Sequence, residues 1–208
     1  MKKNGFTLAE IILAMTLIGA LAAMTLPNLD YRFKKSEYST KIKKFYSKMD
    51  SAFSEMETDE GSAKDLQKPA NSAAAYAWYM QLLDKQMGHQ FVDKDNQTVY
   101  FKDGASIKIT QPSEGDCTEF LYDINSTKRP DVIGKDQFVF LICFTDTSRA
   151  QWFGSSDVVW GTYGKDFTAK NTSRDTLKTK CKTDAKFCSR LLELDDWEFK
   201  NDYPFKIN

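Results

Sequence analysis

The sequence is poor in histidine, in net charge and in long apolar runs. His89 is the only histidine among 208 residues, which excludes any site built on two imidazoles. A serine or cysteine triad would have to run through that one side chain. Lysine plus arginine number 29 and aspartate plus glutamate 29, a formal net charge of zero, so the one-sided charge that marks many nucleic-acid binders is missing. No glycine-rich phosphate loop and no nucleophile motif stands out, and no acid pair can be assigned by spacing. The chain therefore reads as a non-enzyme. Hydrophobic residues make up 41% and charged residues 28%, which argues against wholesale disorder. Only one segment is long and apolar enough to span a bilayer, so a polytopic membrane protein is excluded as well.

That segment is at the N-terminus. Lys2 and Lys3 precede a run, 6–26, in which Glu10 is the only charged residue. As a helix the run is roughly 32 Å long, against ~30 Å of bilayer hydrocarbon. Basic residues before it and none inside it orient the N-terminus toward the cytoplasm and put the rest of the chain outside. A cleaved secretory signal fits poorly. Ala20, Ala22 and Ala23 imitate a cleavage site, but the run continues through Met24 and Leu26. A plain single-pass anchor gives no reason for a carboxylate four residues into the apolar stretch, where a charge is costly.

The string Lys2-Lys3-Asn4-Gly5-Phe6-Thr7-Leu8-Ala9-Glu10, followed by a long apolar run, resembles the class III leader of type IV pilins and type II secretion pseudopilins. The resemblance implies cleavage by a membrane peptidase between Gly5 and Phe6, methylation of the new Phe6 amine, and retention of the apolar helix. Pro27 falls where that family usually carries a helix-bending proline. Glu10 then acquires a purpose. A carboxylate among packed apolar helices needs a cation, and the resemblance implies that the Phe6 amine of a neighbouring subunit supplies it.

Beyond Pro27, Tyr38, Ile42, Phe45, Met49, Ala52, Phe53 and Met56 recur at spacings of three and four, the stripe of an amphipathic helix. Proline at 27 predicts a kink or short break. A nearly continuous rod from 6 to 58 is expected, ending at Asp59-Glu60-Gly61. A second helix follows, capped at Asn71 or Ser72 and running through Trp78, Tyr79, Leu82, Leu83 and Met87. It reads as part of an inserted helical lobe over 62–97, with His89 as a turn or partly buried polar residue. Runs at 98–101 and 106–109 around Asp103-Gly104 predict a hairpin. With 117–124 and 137–144 they make a four-stranded antiparallel meander. The aromatic, glycine-punctuated remainder reads as a loop-rich subdomain whose end lies back on the head.

The loop between the last two strands also resembles a pilin-like pattern, with Ser126 where that pattern has glycine and Asp131 where it has asparagine. Asp123, Asn125 and Thr127 alternate like the opening ligands of an EF-hand. Lys128 replaces the required glycine, however, and Gly134 the bidentate glutamate. Carboxylate-rich loops are ordinarily solvated turns, so the reading is no metal and no cofactor. Asp123, Asn125, Asp131 and Asp136 are the candidates for an irregular calcium site.

Four cysteines in an exported domain point to disulfides, and three pairings are open. If the last two strands pair about a turn near Pro130, Cys117 lies opposite Cys143, which leaves Cys181 and Cys188 to close a short C-terminal loop.

The sequence thus predicts an α+β, pilin-like protein with a leader at 1–5, a membrane or filament-core helix half at 6–26, an amphipathic half at 27–58 and an extracytoplasmic head at 59–208. The resemblance implies the inner membrane and its lipid, a prepilin peptidase and methyltransferase, an assembly platform with its ATPase, and other pilin subunits as partners. Nucleic acid has no support in the charge, since without Lys2 and Lys3 the chain is slightly acidic. The role expected is a filament subunit of a surface type IV pilus. The alternatives are a major or minor pseudopilin in a periplasmic pseudopilus and, more distantly, an anchored binding protein.

Overall fold

The computed structural model describes residues 7–112, 115–164 and 173–207, without the side chains of 25–28 and 30. One helix, α1 (Leu8–Glu60, 53 residues), carries the chain from its N-terminal end across the whole head. It continues through position 27 without interruption, so of the expected kink or short break, the break does not occur. Proline lacks one amide hydrogen and perturbs one turn, and the strong helical signals on both sides carry the helix past it. The helix ends two residues later than expected, at Glu60, with Gly61 beyond it at φ 99°. The Glu57 carboxylate accepts from the Ala63 amide at 3.0 Å and fastens the exit.

The rest is a six-stranded antiparallel meander with two helical covers. A turn of 3-10 helix (Ala63–Asp65) leads to α2 (Ser72–Leu82) and α3 (Asp84–Met87). The strands β1 (His89–Asp93), β2 (Thr98–Phe101), β3 (Ser106–Thr110), β4 (Cys117–Asp123), β5 (Gln137–Cys143) and β6 (Trp160–Thr162) pair in sequence order. Between the last two strands runs α4 (Asp146–Phe153), and the chain closes with α5 (Arg174–Thr183) and α6 (Cys188–Leu194).

The stripe on α1 is what the sheet packs on. Ile42, Met49 and Ala52 are fully buried and Tyr38, Phe45, Phe53 and Met56 nearly so. Phe45 stacks on Tyr122 of β4 at 4.2 Å between ring centroids and meets Phe140 of β5 edge-on at 5.2 Å. Trp160 of β6 lies against Phe140 and donates from Nε1 to Asp50 of α1 at 2.6 Å. The five largest apolar side chains of the stripe contribute roughly 10 kcal/mol as an upper figure. On α2, Tyr79 is fully buried beside Phe120, and the Asn71 side chain caps the helix by accepting from the Ala74 amide at 2.9 Å.

Charge on α1 is sorted along its length. From Arg32 to Lys48 basic residues far outnumber the single acid Glu37, whereas from Asp50 to Glu60 every charge is acidic. Glu57, Asp59 and Glu60 sit in the last turn with no base among them. This opposes the helix macrodipole, which disfavours each such carboxylate by ~0.3–1 kcal/mol.

Three expectations need correction. The helical lobe stops at Gly88, because His89 opens β1; it is the partly buried polar residue expected, with Nδ1 2.6 Å from Asp84 Oδ2, but in a strand and not a turn. The sheet has six strands instead of four. β1 is a largely solvated edge strand in which Phe91 stays half exposed, and β6 has only three residues, so neither carries a readable apolar alternation. The C-terminal third is helical where loops were expected. In α5 the only buried residues are Leu177 and Cys181, a thin stripe on a polar helix.

Both disulfides lie within this framework. The β4–β5 register sets Cys117 opposite Cys143, and the two are bridged on the sheet face away from α1, packed with Leu141, Trp152, Phe153 and Tyr163. Cys181 and Cys188 join the last turn of α5 to the first residue of α6, closing the short connection between the two helices. The Arg174 guanidinium grips the buried Asp195 carboxylate at 2.6 and 2.8 Å and Asp202 at 2.8 Å. With Lys178 it holds the Asp202 carboxyl well below the usual carboxylate range. Loop-closure entropy ranks the two bridges. Removing the 26-residue closure with Cys117→Ser/Cys143→Ser should cost about 3.5 kcal/mol, and removing the 7-residue closure with Cys181→Ser/Cys188→Ser about 2.4 kcal/mol. Urea unfolding of the two double variants measures that order.

Candidate assembly helix

Among the described residues the N-terminal half of α1 contributes nothing to the buried core. Leu8, Ile12, Leu13, Met15, Leu17, Ile18, Leu21 and Met24 are each more than half exposed, and they surround the helix on all sides. A helix apolar all round is stable only in an apolar environment. Its backbone is satisfied internally, and the Thr16 hydroxyl donates to the Leu13 carbonyl at 2.8 Å, so its one mid-run hydroxyl is satisfied too.

Thr7 begins the helix. Its hydroxyl accepts from the Glu10 amide at 3.3 Å, while Glu10 Oε2 accepts from the Thr7 amide at 2.8 Å and from the Thr7 hydroxyl at 2.7 Å. This is a capping box. Its signature, Thr-x-x-Glu ahead of an apolar run, is present in the sequence. The box uses Oε2 and leaves Oε1 outside it. Gly5 and Phe6, the expected cleavage and methylation positions, lie outside the described residues. Pro27 lies inside the helix, its side chain undescribed.

Among the described residues no helix is long and apolar enough to cross a membrane. The described apolar stretch, 8–24, is about 25 Å long, short of the ~30 Å of bilayer hydrocarbon. The run expected to span, 6–26, includes Phe6 and two positions whose side chains are not described.

The four oxygen-bearing residues of the β4–β5 loop do come together, but as a hydrogen-bonded turn. Asp136 is fully buried; its Oδ2 accepts from Asn125 Nδ2 at 3.2 Å and the Asp131 amide at 3.0 Å, and its Oδ1 from the Val132 amide at 2.7 Å. Asp123 Oδ1 accepts from the Asn125 and Ser126 amides, and Oδ2 from Gln137 Nε2 at 2.8 Å. Burial pushes the Asp123 carboxyl up, against these bonds. Among the described residues no group of three or more acidic, histidine or cysteine side chains is placed to hold a metal ion.

Residues 28–207 match a family of unknown function, DUF6613, and residues 1–26 match the prokaryotic N-terminal methylation motif. The chain belongs to the DUF6613 family. No curated protein and no solved structure matches it. The methylation motif makes this DUF6613 chain prepilin-like, and a prepilin leader implies insertion in the inner membrane before processing. The two matches meet next to Pro27, within α1, and among the described residues every buried one of α1 lies on the DUF6613 side.

The DUF6613 loop also explains its departures from the pilin-like pattern. Ser126 and Asp131, which replace glycine and asparagine, both adopt φ 54°, the left-handed conformation those residues favour. Ser126 Oγ is moreover buried without a partner. Ser126→Gly should therefore stabilise the protein by about 1 kcal/mol. A raised urea midpoint at unchanged slope is the expected result.

Proposed function

We propose that this protein is a structural subunit of a type IV pilus-like filament. It enters the inner membrane as a prepilin through 6–26, is cleaved after Gly5, is methylated at Phe6 and polymerises through α1, while 27–58 and the head at 59–208 lie outside. The observation that carries this reading is an apolar helix half exposed on every side and continuous with the spine of the head. Such a surface suits lipid before assembly and the same helix of other subunits afterwards. Prepilin peptidase and an inner-membrane assembly platform with its ATPase are the partners this requires.

Glu10 has two successive duties on this reading. In the single chain it closes the capping box. In the filament core its charge pairs with the Phe6 amine of a neighbouring subunit and sets the axial register. The two duties separate by mutation. Glu10→Gln keeps a side chain able to complete the box but removes the charge, and leaving one member of a buried ion pair alone costs about 3–5 kcal/mol. Glu10→Gln and Glu10→Leu should both insert in the membrane and both fail to give filaments in sheared fractions. Normal filament yield from Glu10→Gln would contradict the pairing.

A further inference from the structure

Two pockets at opposite ends of the head carry opposite charge. At the foot, where α1 leaves the head, a pocket of about 390 Å³ is lined by Lys34 of α1, Arg129 and Lys135 of the β4–β5 loop and Lys206 of the C-terminal tail. Tyr38 and Ile207 give it an apolar floor. Among the described lining residues the one carboxylate, Asp136, is buried and turned inward onto Asn125 and the loop amides, and since Lys34 is itself already engaged, Arg129, Lys135 and Lys206 carry the pocket's charge. At the tip, where α1 ends, a pocket of about 110 Å³ is lined by Glu55, Asp59 and Glu60, opposed only by Lys85, an exposed side chain 3.8 Å from Asp59.

We infer that the basic foot of the head docks the acidic tip of a second copy of this chain, head to tail along the filament. The inference rests on the filament reading given above. Charge complementarity identifies the occupant. The chain itself presents both halves of the contact, about 30–40 Å apart along one rigid helix. Asp59 and Glu60, unlike Glu57, which fastens the helix exit, stand against the helix macrodipole with no bond to the backbone among the described residues that would offset it. A foot-to-tip contact is heterologous, joining two different patches, and such contacts generate open filaments wherever the rotation does not close a ring. Because the copies it joins are offset by the length of the head, it links subunits further apart than those sharing a Glu10 contact, which are offset by about one helical turn. It therefore adds an outer set of bonds to the helix core.

Reversal of charge in cells that make wild-type filaments tests this. Arg129→Glu/Lys206→Glu and Glu55→Lys/Glu60→Lys change only exposed side chains. Each pair should lower the sheared filament yield about tenfold, because like charges then face each other. The four changes together should return it to within about threefold of wild type, since attraction is restored with the signs exchanged. Arg129→Lys, which keeps the charge, should assemble normally and so separates a charge effect from a folding defect. Full yield from both two-residue variants would overturn the contact while leaving the filament reading intact; absence of wild-type filaments would overturn the filament reading itself. A defect in Arg129→Glu/Lys206→Glu that the four-residue variant does not repair, with weaker retention of the unassembled subunit in anionic membranes, would also overturn it and assign the pocket to lipid headgroups.

Discussion

An apolar helix exposed on every face needs apolar surroundings, and that requirement governs the rest of the molecule. The first half of α1, over 8–24, offers water only methyl, methylene and thioether groups apart from Glu10 and Thr16. Surrounding it with lipid or with like helices removes that surface from water at ~25 cal/mol per Å². The second half meets the same demand within the chain, by laying one stripe on the sheet. Because the two halves are one uninterrupted helix, whatever orients the first half also orients the head.

The head is built to hold that helix. Phe45, Tyr122, Phe140 and Trp160 form an aromatic block between α1 and the three strands β4, β5 and β6. The Cys117–Cys143 bridge fastens two of those strands from the opposite face. Arg174 ties the tail to the end of α6 through Asp195 and Asp202. Gly134, at φ +85° with the Phe205 ring where a Cβ would stand, and with its carbonyl accepting from Tyr203 at 2.7 Å, lets the tail close over the β4–β5 loop. The head is thus a rigid body at the end of a rod, the form in which charge placed at foot and tip keeps a fixed direction.

Much of this was legible in the residues, and the parts that were not share a cause. The stripe from Tyr38 to Met56 gave the spine because its period is long and its apolar residues large. The Asp103-Gly104 turn and the Cys117–Cys143 register were readable because turn chemistry and strand pairing are local. What escaped was held by backbone or by few side chains. β1 is defined by pairing with β2 while its own side chains face water, β6 is three residues long, and α5 buries only Leu177 and Cys181. The capping box at Thr7 was readable but hidden behind a second meaning of Glu10. The candidate calcium residues do cluster, yet what gathers them is the loop's own amides. That distinction depends on which way Asp123 and Asp136 point, and spacing does not encode it.

The intact mass of the protein sheared from the cell surface tests the central claim most directly. The account predicts a chain that has lost Met1–Gly5 and begins at Phe6, heavier by one methyl group, about 14 Da. Finding only chains that retain the leader, confined to the membrane fraction, would contradict it.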